Sequence, residues 1–539
     1  MRSARRLASI GFLASALLVL APVPTGRALT ARAAGKAMAS SAATECTAVP
    51  VINDERCELW TNRFDGGGGY DFALTSSSLA LAPAGDRAYV TGVSQGSAAT
   101  AENFDWDYAT VAWDTASGER LWTSRHSGGS DGTEVAMATT VSPDGALVYV
   151  TGQSGSSFHT IAYAAGAGTI VWEKGTIEVG TPYDVTAAQD GTAIFVTGAA
   201  GGDVLTVAYD AHTGQQLWKA RLDSRGGSDG GFTITSSPCQ ATQGPRECVY
   251  VGGWAQEGPD STAGDYLALA YDGQTGDRLW KTLYSGGADD LWDLVVAPAS
   301  NQILLTGGSQ PFSATRRDLT TVALDAASGA VNWVSRHDDN PSGVEYSLNV
   351  GYALALDPDG KRAYVTGQNY TFENATHAVT LAYDLSDGEI LWSDRYDGID
   401  GAWSDPTTEL GLYTNQLGDS GYAITSSPDG ERVYVASCSM FSPGTPGAWG
   451  GGDTVTFAYD ASSGDRVWEA RYAGSRYTGS DQPTSYVAPD CPNSIAVHPV
   501  DGRLFVSGTV SDASDDAAIA SRGWSSLVDA DFSLVAYAP

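Results

Sequence analysis

The chain has 539 residues, 42% hydrophobic and 17% charged, with 63 acids against 30 basic residues and a formal net charge of −33. That composition belongs to a folded chain, and its acidity repels phosphate backbones and anionic membranes, which sets nucleic acid aside as a partner. The six cysteines form no C-x-x-C pair and the six histidines are scattered, so their spacing indicates no metal site.

Residues 1–34 begin with Arg2, Arg5 and Arg6, run through LASIGFLASALLVLAPV and end in small residues that include ARAA at 31–34. This is the layout of a cleaved secretory signal peptide. Its apolar run is too short and interrupted for a membrane span of ~18 apolar residues, and no other stretch approaches that length. Cys46 lacks a lipobox-like L-x-G-C setting, and Arg5-Arg6 leaves the general and twin-arginine export routes both open. Removing residues 1–34 deletes five arginines and no acid, which moves the net charge from −33 to −38. The expected product is soluble, secreted, extracellular and monomeric, with an N-terminal arm at 35–56 and one folded domain at 57–539.

From residue 88 onward two units recur. The first is a strand, AYVTG at 88–92, with counterparts at 148–152, 194–198, 249–253, 303–307, 363–367, 433–437 and 504–508. A turn such as SPDG (142–145 and 427–430) or DPDG (357–360) precedes most copies, and Pro early with Gly late suits a tight hairpin. The second is A-x-D-x-x-x-G-x-x-x-W, ending on Trp122, Trp172, Trp218, Trp280, Trp333, Trp392 and Trp468. Two short strands flank an Asp-to-Gly hairpin here, glycine supplying the positive φ. Ala164 replaces the aspartate in the second copy. With a strand ahead of each SPDG-type turn, every repeat has four strands, and tryptophans 46 to 76 residues apart predict propeller blades.

The last repeat, FSLVAYAP at 532–539, stops before its tryptophan. The missing strand is CELWTNRF at 57–64, with Trp60 as the eighth docking tryptophan, so the two chain ends pair and hide two sheet edges. The prediction is an all-β, eight-bladed β-propeller of four-stranded blades.

Six cysteines in an exported chain suggest three disulfides. Cys239 and Cys248 flank an inserted hairpin loop. Cys438 and Cys491 sit in loops of the same face, which leaves Cys46 with Cys57.

Within-blade turns are mostly short on one face, which reads as structural. Long inserts at 94–107, 254–265, 309–318, 368–377, 397–421, 438–453, 473–493 and 509–526 fall on the other, where function is expected. Six tryptophans outside the docking set (Trp106, Trp254, Trp292, Trp403, Trp449 and Trp524) map to connections of that face. Beside acids such as Asp105, Asp107, Asp260, Asp290, Glu373, Asp405 and Asp481 they could form a sugar-binding surface; for any one of them, packing of loops against blades is the stronger explanation. Gly-Asp clusters such as GGSDG (128–132), GGADD (286–290) and DGIDG (397–401) lie between blades. GGGGYD at 66–71 fits one copy of a calcium-binding G-G-x-G-x-D motif, although a single copy is better explained as a turn. The sequons NYT (369–371) and NAT (374–376) mark an exposed loop. No H-E-x-x-H, G-x-S-x-G, P-loop or dinucleotide glycine fingerprint is present.

The A-x-D-x-x-x-G-x-x-x-W unit resembles the tryptophan-docking repeat of the pyrroloquinoline quinone (PQQ) dehydrogenase-like propellers, and the longer cadence DYATVAWDTASGERLWTSRHSGGSDG is similar to SBBP-type repeats of bacterial secreted proteins. The resemblance implies that the eight tryptophans are architectural. For a quinoprotein it also implies a cofactor held between a tryptophan and a ring of adjacent cysteines, beside calcium and an aspartate base; this chain has no Cys-Cys dipeptide. The leading expectation is a non-catalytic binding protein that uses its loop-rich face for a protein or glycan and needs no cofactor. The alternatives are a calcium-dependent PQQ oxidoreductase acting on an alcohol or sugar, and a glycan-active enzyme with carboxylates around the funnel.

Overall fold

The computed structural model describes residues 58–66, 71–95, 105–128, 133–224, 226–241, 244–256, 264–310, 316–338, 347–371, 374–396, 418–440, 452–472, 490–511 and 530–539. Their regular structure is strand apart from one short 3-10 turn at Pro298–Ser300. The strands form eight antiparallel four-stranded units, each with an inner strand, the YVTG strand, the AYD strand and the tryptophan strand in that order. Blades 1 to 7 span 71–126, 134–175, 180–222, 229–284, 288–337, 347–396 and 420–472, and blade 8 joins 491–537 to the N-terminal strand. Glu58–Phe64 pairs antiparallel with Ala530–Tyr537, which sets Trp60 opposite Ala536. Inner strands of successive blades touch around the whole circuit, and blade 8 meets blade 1.

Two features depart from eight separate sheets. Ile170–Ala187 is one strand that leaves blade 2 as its outer edge and enters blade 3 as its inner edge. A short parallel bridge of Arg316 and Arg317 with Ser347 and Leu348 links blades 5 and 6.

The docking repeat has a direct physical reading. Seven of the eight tryptophans lie over the hairpin turn of the next blade and donate the indole N–H to a carbonyl there, for example Trp60 to Thr115 at 3.2 Å, Trp172 to Ala211 at 2.9 Å and Trp333 to Leu385 at 3.0 Å. Trp468 faces blade 8, where the chain ends replace that turn, and packs on Tyr537 at 6.0 Å. The glycine of that turn must be glycine twice over. Gly168 has φ +67°, and a Cβ on it would sit 2.5 Å from the Trp122 ring. The aspartate caps its own turn, as Asp114 does by accepting from the Ala116 and Ser117 amides at 3.0 and 2.8 Å. Where Ala164 stands instead, backbone bonds hold the turn without a side-chain cap: the Gly168 and Ala167 amides donate to the Ala164 carbonyl and the Ala164 amide to the Thr169 carbonyl.

The core is a chain of clusters between blades. One sets Trp172, Tyr149 and Phe158 of blade 2 against Ile194, Val196 and Tyr209 of blade 3. Within blades, the threonines of YVTG bond to those of the AYD strand, Thr91 to Thr110 at 3.1 Å and Thr151 to Thr160 at 3.0 Å, so these buried hydroxyls are satisfied. Cys239–Cys248 and Cys438–Cys491 are disulfides with Cα atoms 5.7 and 4.8 Å apart. Cys46 and Cys57 lie outside the described residues.

Two expectations need correction. The segment 368–377 is mostly strand, Arg362–Thr371 followed by Asn374–Asp384. Asn369 of the first sequon is 1% exposed inside that hairpin, so it does not lie on an exposed loop.

Candidate functional site

The YVTG glycine determines which side chains reach the axis. In every blade but the first, the inner strand bulges opposite this position, two of its residues spanning one step of the partner. In blade 5, Leu291 faces Gly307 and Asp293 faces Thr306, which leaves Trp292 over. A Cβ on Gly307 would stand 2.0 Å from the Asp290 carbonyl oxygen, so a side chain there requires the inner strand to shift. Blade 7 has Ser437 there and still bulges, its hydroxyl donating to the Ser420 carbonyl at 2.9 Å.

The bulged residues are Met137, Tyr183, Phe232, Trp292, Tyr352, Tyr422 and Asn493 in blades 2 to 8. Five consecutive ones are aromatic, and their rings touch. Tyr183 lies 5.7 Å from Phe232, Phe232 5.5 Å from Trp292, Trp292 5.3 Å from Tyr352 and Tyr352 5.6 Å from Tyr422. Trp254 extends the arc by packing on Tyr183 at 5.9 Å. Edge-to-face contacts dominate until Tyr352 and Tyr422 stack at 21°, so the geometry follows the ring quadrupoles. All five bulged rings keep part of their surface open, and Tyr422 is 37% exposed. Desolvation lifts the phenols of Tyr183, Tyr352 and Tyr422, which keeps them neutral hydroxyls.

The inner-strand acids are committed to architecture. Asp184 accepts from its neighbour Val185 and, across the blade junction, from Ile234, both at 2.9 Å. Asp293 does the same with Leu294 and Leu354 at 2.7 Å. Desolvation raises Asp184 to about 6 and Asp293 to about 7, only partly opposed by these amides. Asp229 and Asp289 turn back on the links that precede them, accepting from the amides of Ser224 and Gly286. That is the role of Asp289 in the 286–290 cluster; 129–132 and 397–401 lie outside the described residues. Asp71, at the end of the 66–71 stretch, accepts from Gly66 and approaches Asp65 and Asp531, and burial lifts it to about 6.

Three of the six singled-out tryptophans lie in strands and not in connections. Trp106 opens the strand Trp106–Asp114 and meets Phe72 edge-on at 5.4 Å, Trp254 lies near the end of Gly244–Gln256, and Trp292 is mid-strand in Ala288–Ala297. The longer YVTG and AYD strands absorb what looked like loop. Trp403, Trp449 and Trp524 lie outside the described residues, as do Asp260, Glu373, Asp405 and Asp481. Asp107 pairs with Arg125 at 3.1 Å, and Asp290 pairs with Arg317, so these acids are already bound. A cleft of about 400 Å³ lies on the short-turn face, lined by Asp190, Phe195, Pro238, Arg246 and Glu247 among others.

Sequence reasoning missed Tyr183, Phe232, Tyr352 and Tyr422. The signal was available: each lies ahead of an SPDG-type turn and shortly after a small residue. It also kept the histidines apart, whereas His126 and His159 stack with ring centres 5.0 Å apart. A Trp-x-x-Arg pattern went unremarked as well. It pairs Arg125, Arg221, Arg336 and Arg471 with the aspartate five residues before the AYD alanine in the same blade.

Together these features define a tryptophan-docked β-propeller with an aromatic axis. A family model described as "Outer membrane protein assembly factor BamB" (PQQ_2) matches residues 51–333 and 156–408, and the chain belongs to this family of PQQ-like propellers. No curated protein matches it. Similar solved structures include BamB from Moraxella catarrhalis (11% identity, TM-score 0.43, 89% of this chain and 97% of that one). Another is the quinohemoprotein alcohol dehydrogenase from Comamonas testosteroni (14%, 0.45, 89% and 76%). A third is the Dos1 propeller (11%, 0.49, 88% and 94%). No helix among the described residues is long and apolar enough to cross a membrane. The two disulfides belong to an oxidising compartment.

The PQQ resemblance can be tested on the axis. PQQ is a tricarboxylate and needs cations to hold it. The described inner strands contain no lysine or arginine at 71–72, 79–81, 134–141, 180–187, 229–241, 288–297, 347–356, 420–426 or 491–497. Arg317, whose charge reaches Tyr352, is tied to Asp290. The described axial residues do not fit this cofactor.

Proposed function

We propose that the protein is an exported, non-catalytic propeller that binds a glycan through its axial aromatic arc and the loop-rich face around it. Residues 1–34 act as the export signal, and 35–56 lead as an arm into the propeller at 57–539. The carrying observation is the run of five partly open rings from Tyr183 to Tyr422, on described inner strands that hold no lysine or arginine, bordered by neutral phenol hydroxyls. Apolar platforms with a few fixed hydroxyls suit the C–H faces and hydroxyls of sugars. Acid–base catalysis is disfavoured because Asp184 and Asp293 each spend both oxygens on backbone amides.

The test is a titration of the mature protein with a panel of oligosaccharides, read by tryptophan fluorescence, with a parallel arm of PQQ with and without calcium. Saturable glycan binding lost in Trp292→Ala and Tyr352→Ala is expected, with no response to PQQ. Calcium-dependent PQQ binding followed by dye-linked oxidation of an alcohol or sugar would make the protein a quinoprotein instead. Silence in both arms would move the arc to a protein ligand.

A further inference from the structure

We propose that the junction between blades 1 and 2 is a binding site for a divalent transition metal of the zinc class, held by His126, His159 and Glu173. His126 closes the outer strand Arg120–His126 of blade 1, while His159 and Glu173 lie on adjacent strands of blade 2. His126 Nδ1 is 3.5 Å from Glu173 Oε2, and His159 Nε2 is 4.0 Å from the same oxygen. All three ligand atoms lie within 4.8 Å of one another. Zinc bonds of ~2.0–2.2 Å in a tetrahedron put ligand atoms ~3.3 Å apart, so binding asks for side-chain movements of about 1 Å. Three protein ligands leave the fourth position to water. The imidazoles are mostly covered, with side chains 15% and 16% exposed, while Glu173 is 48% exposed and opens the site to solvent.

Two further observations point to a ligand. His159 Nε2 is buried and has no hydrogen-bond partner, which calls for an explanation in a folded protein. Tyr108 packs edge-on against both imidazoles, at 6.0 and 6.2 Å, and so holds their orientation.

The repeat supplies internal controls. At the junction of blades 6 and 7 the positions of His126 and Glu173 are Tyr396 and Glu469, which make an ordinary hydrogen bond of 3.1 Å, and Val455 stands where His159 does. At blades 5 and 6, His337 repeats His126, but the repeat positions of His159 and Glu173 are Val379 and Ser393. Blade 2 also gives up the recurring arginine: Gly175 occupies the slot of Arg125 and Arg221, and a Cβ there would meet His159 Nδ1 at 3.5 Å. A guanidinium in that slot would place a positive charge beside the imidazoles.

The experiment uses tag-free, metal-stripped mature protein titrated with zinc chloride by calorimetry, and with cobalt(II) read by its visible ligand-field bands. The expected result is one equivalent bound with a tetrahedral cobalt spectrum, and at least a tenfold loss of affinity in His126→Ala, His159→Ala and Glu173→Gln. His337→Ala should bind as the parent does. Zinc should raise the melting temperature of the parent and not of the His126→Ala variant. Glu173→Gln, changed at a half-exposed side chain, keeps the question open to test if a histidine variant fails to fold. Absence of zinc binding, or binding unchanged in Glu173→Gln and His126→Ala, overturns the proposal.

Discussion

The rim and the axis of this ring are made by one repeat, yet they use it in opposite ways. At the rim the same residue recurs eight times, from Trp60 to Trp468, and a Cβ on any described turn glycine beneath an indole would sit 2.4–2.7 Å from that ring. At the axis the bulged position reads Met137, Tyr183, Phe232, Trp292, Tyr352, Tyr422 and Asn493. The rim position must fill one cavity shape between blades, so its identity is set by packing. The axial position is held in place by backbone geometry alone, and its side chain is released for another task.

This contrast can be broken at several points. Trp172→Ala removes a buried indole with its bond to Ala211 and should cost about 3–5 kcal/mol, measured by chemical denaturation. Opening Cys438–Cys491, with a sequence separation of 53, should cost about 4 kcal/mol, against about 2.5 kcal/mol for Cys239–Cys248 with its separation of 9. Serine pairs in each position, melted side by side, would check the ratio.

Asp293 gives a pH-dependent test. Its folded value of about 7 lies above its unfolded one, so the folded state holds the proton more tightly. Its contribution to stability is therefore full below about pH 4 and is lost as pH rises to about 7, at up to about 1.4 kcal/mol per pH unit. Asp293→Asn should flatten that part of the stability profile; an unchanged slope would mean that other groups dominate. Ala164→Asp restores the missing turn cap and should add about 1 kcal/mol. The smallest effect on stability belongs to the axis. Tyr352→Ala should cost about 1 kcal/mol or less while abolishing ligand binding, a separation that a purely structural ring would not show.

Much of the rim was legible because the docking unit is local: an aspartate, a glycine and a tryptophan within eleven residues encode a hairpin and the indole that seals it. Ring closure was legible for the same reason, since the last repeat stops at Tyr537-Ala538-Pro539 and Trp60 supplies the absent strand. The axis was less so. Tryptophan was sought in loops, while three of the six lie in strands and the arc is carried as much by tyrosine and phenylalanine.

By itself the sequence determined the strand order and the eightfold repetition, because hairpin turns act over short distances, and it pointed to the pairing of the chain ends because the last repeat lacks the strand that Trp60 supplies. Only the tertiary structure decided which residues meet. The bulge that turns Trp292 inward depends on a partner strand, Gly307. The contact of His126 with His159 and Glu173 depends on how two separate sheets sit against each other. Register between sheets is set by packing over the whole junction, and no short stretch of chain contains it.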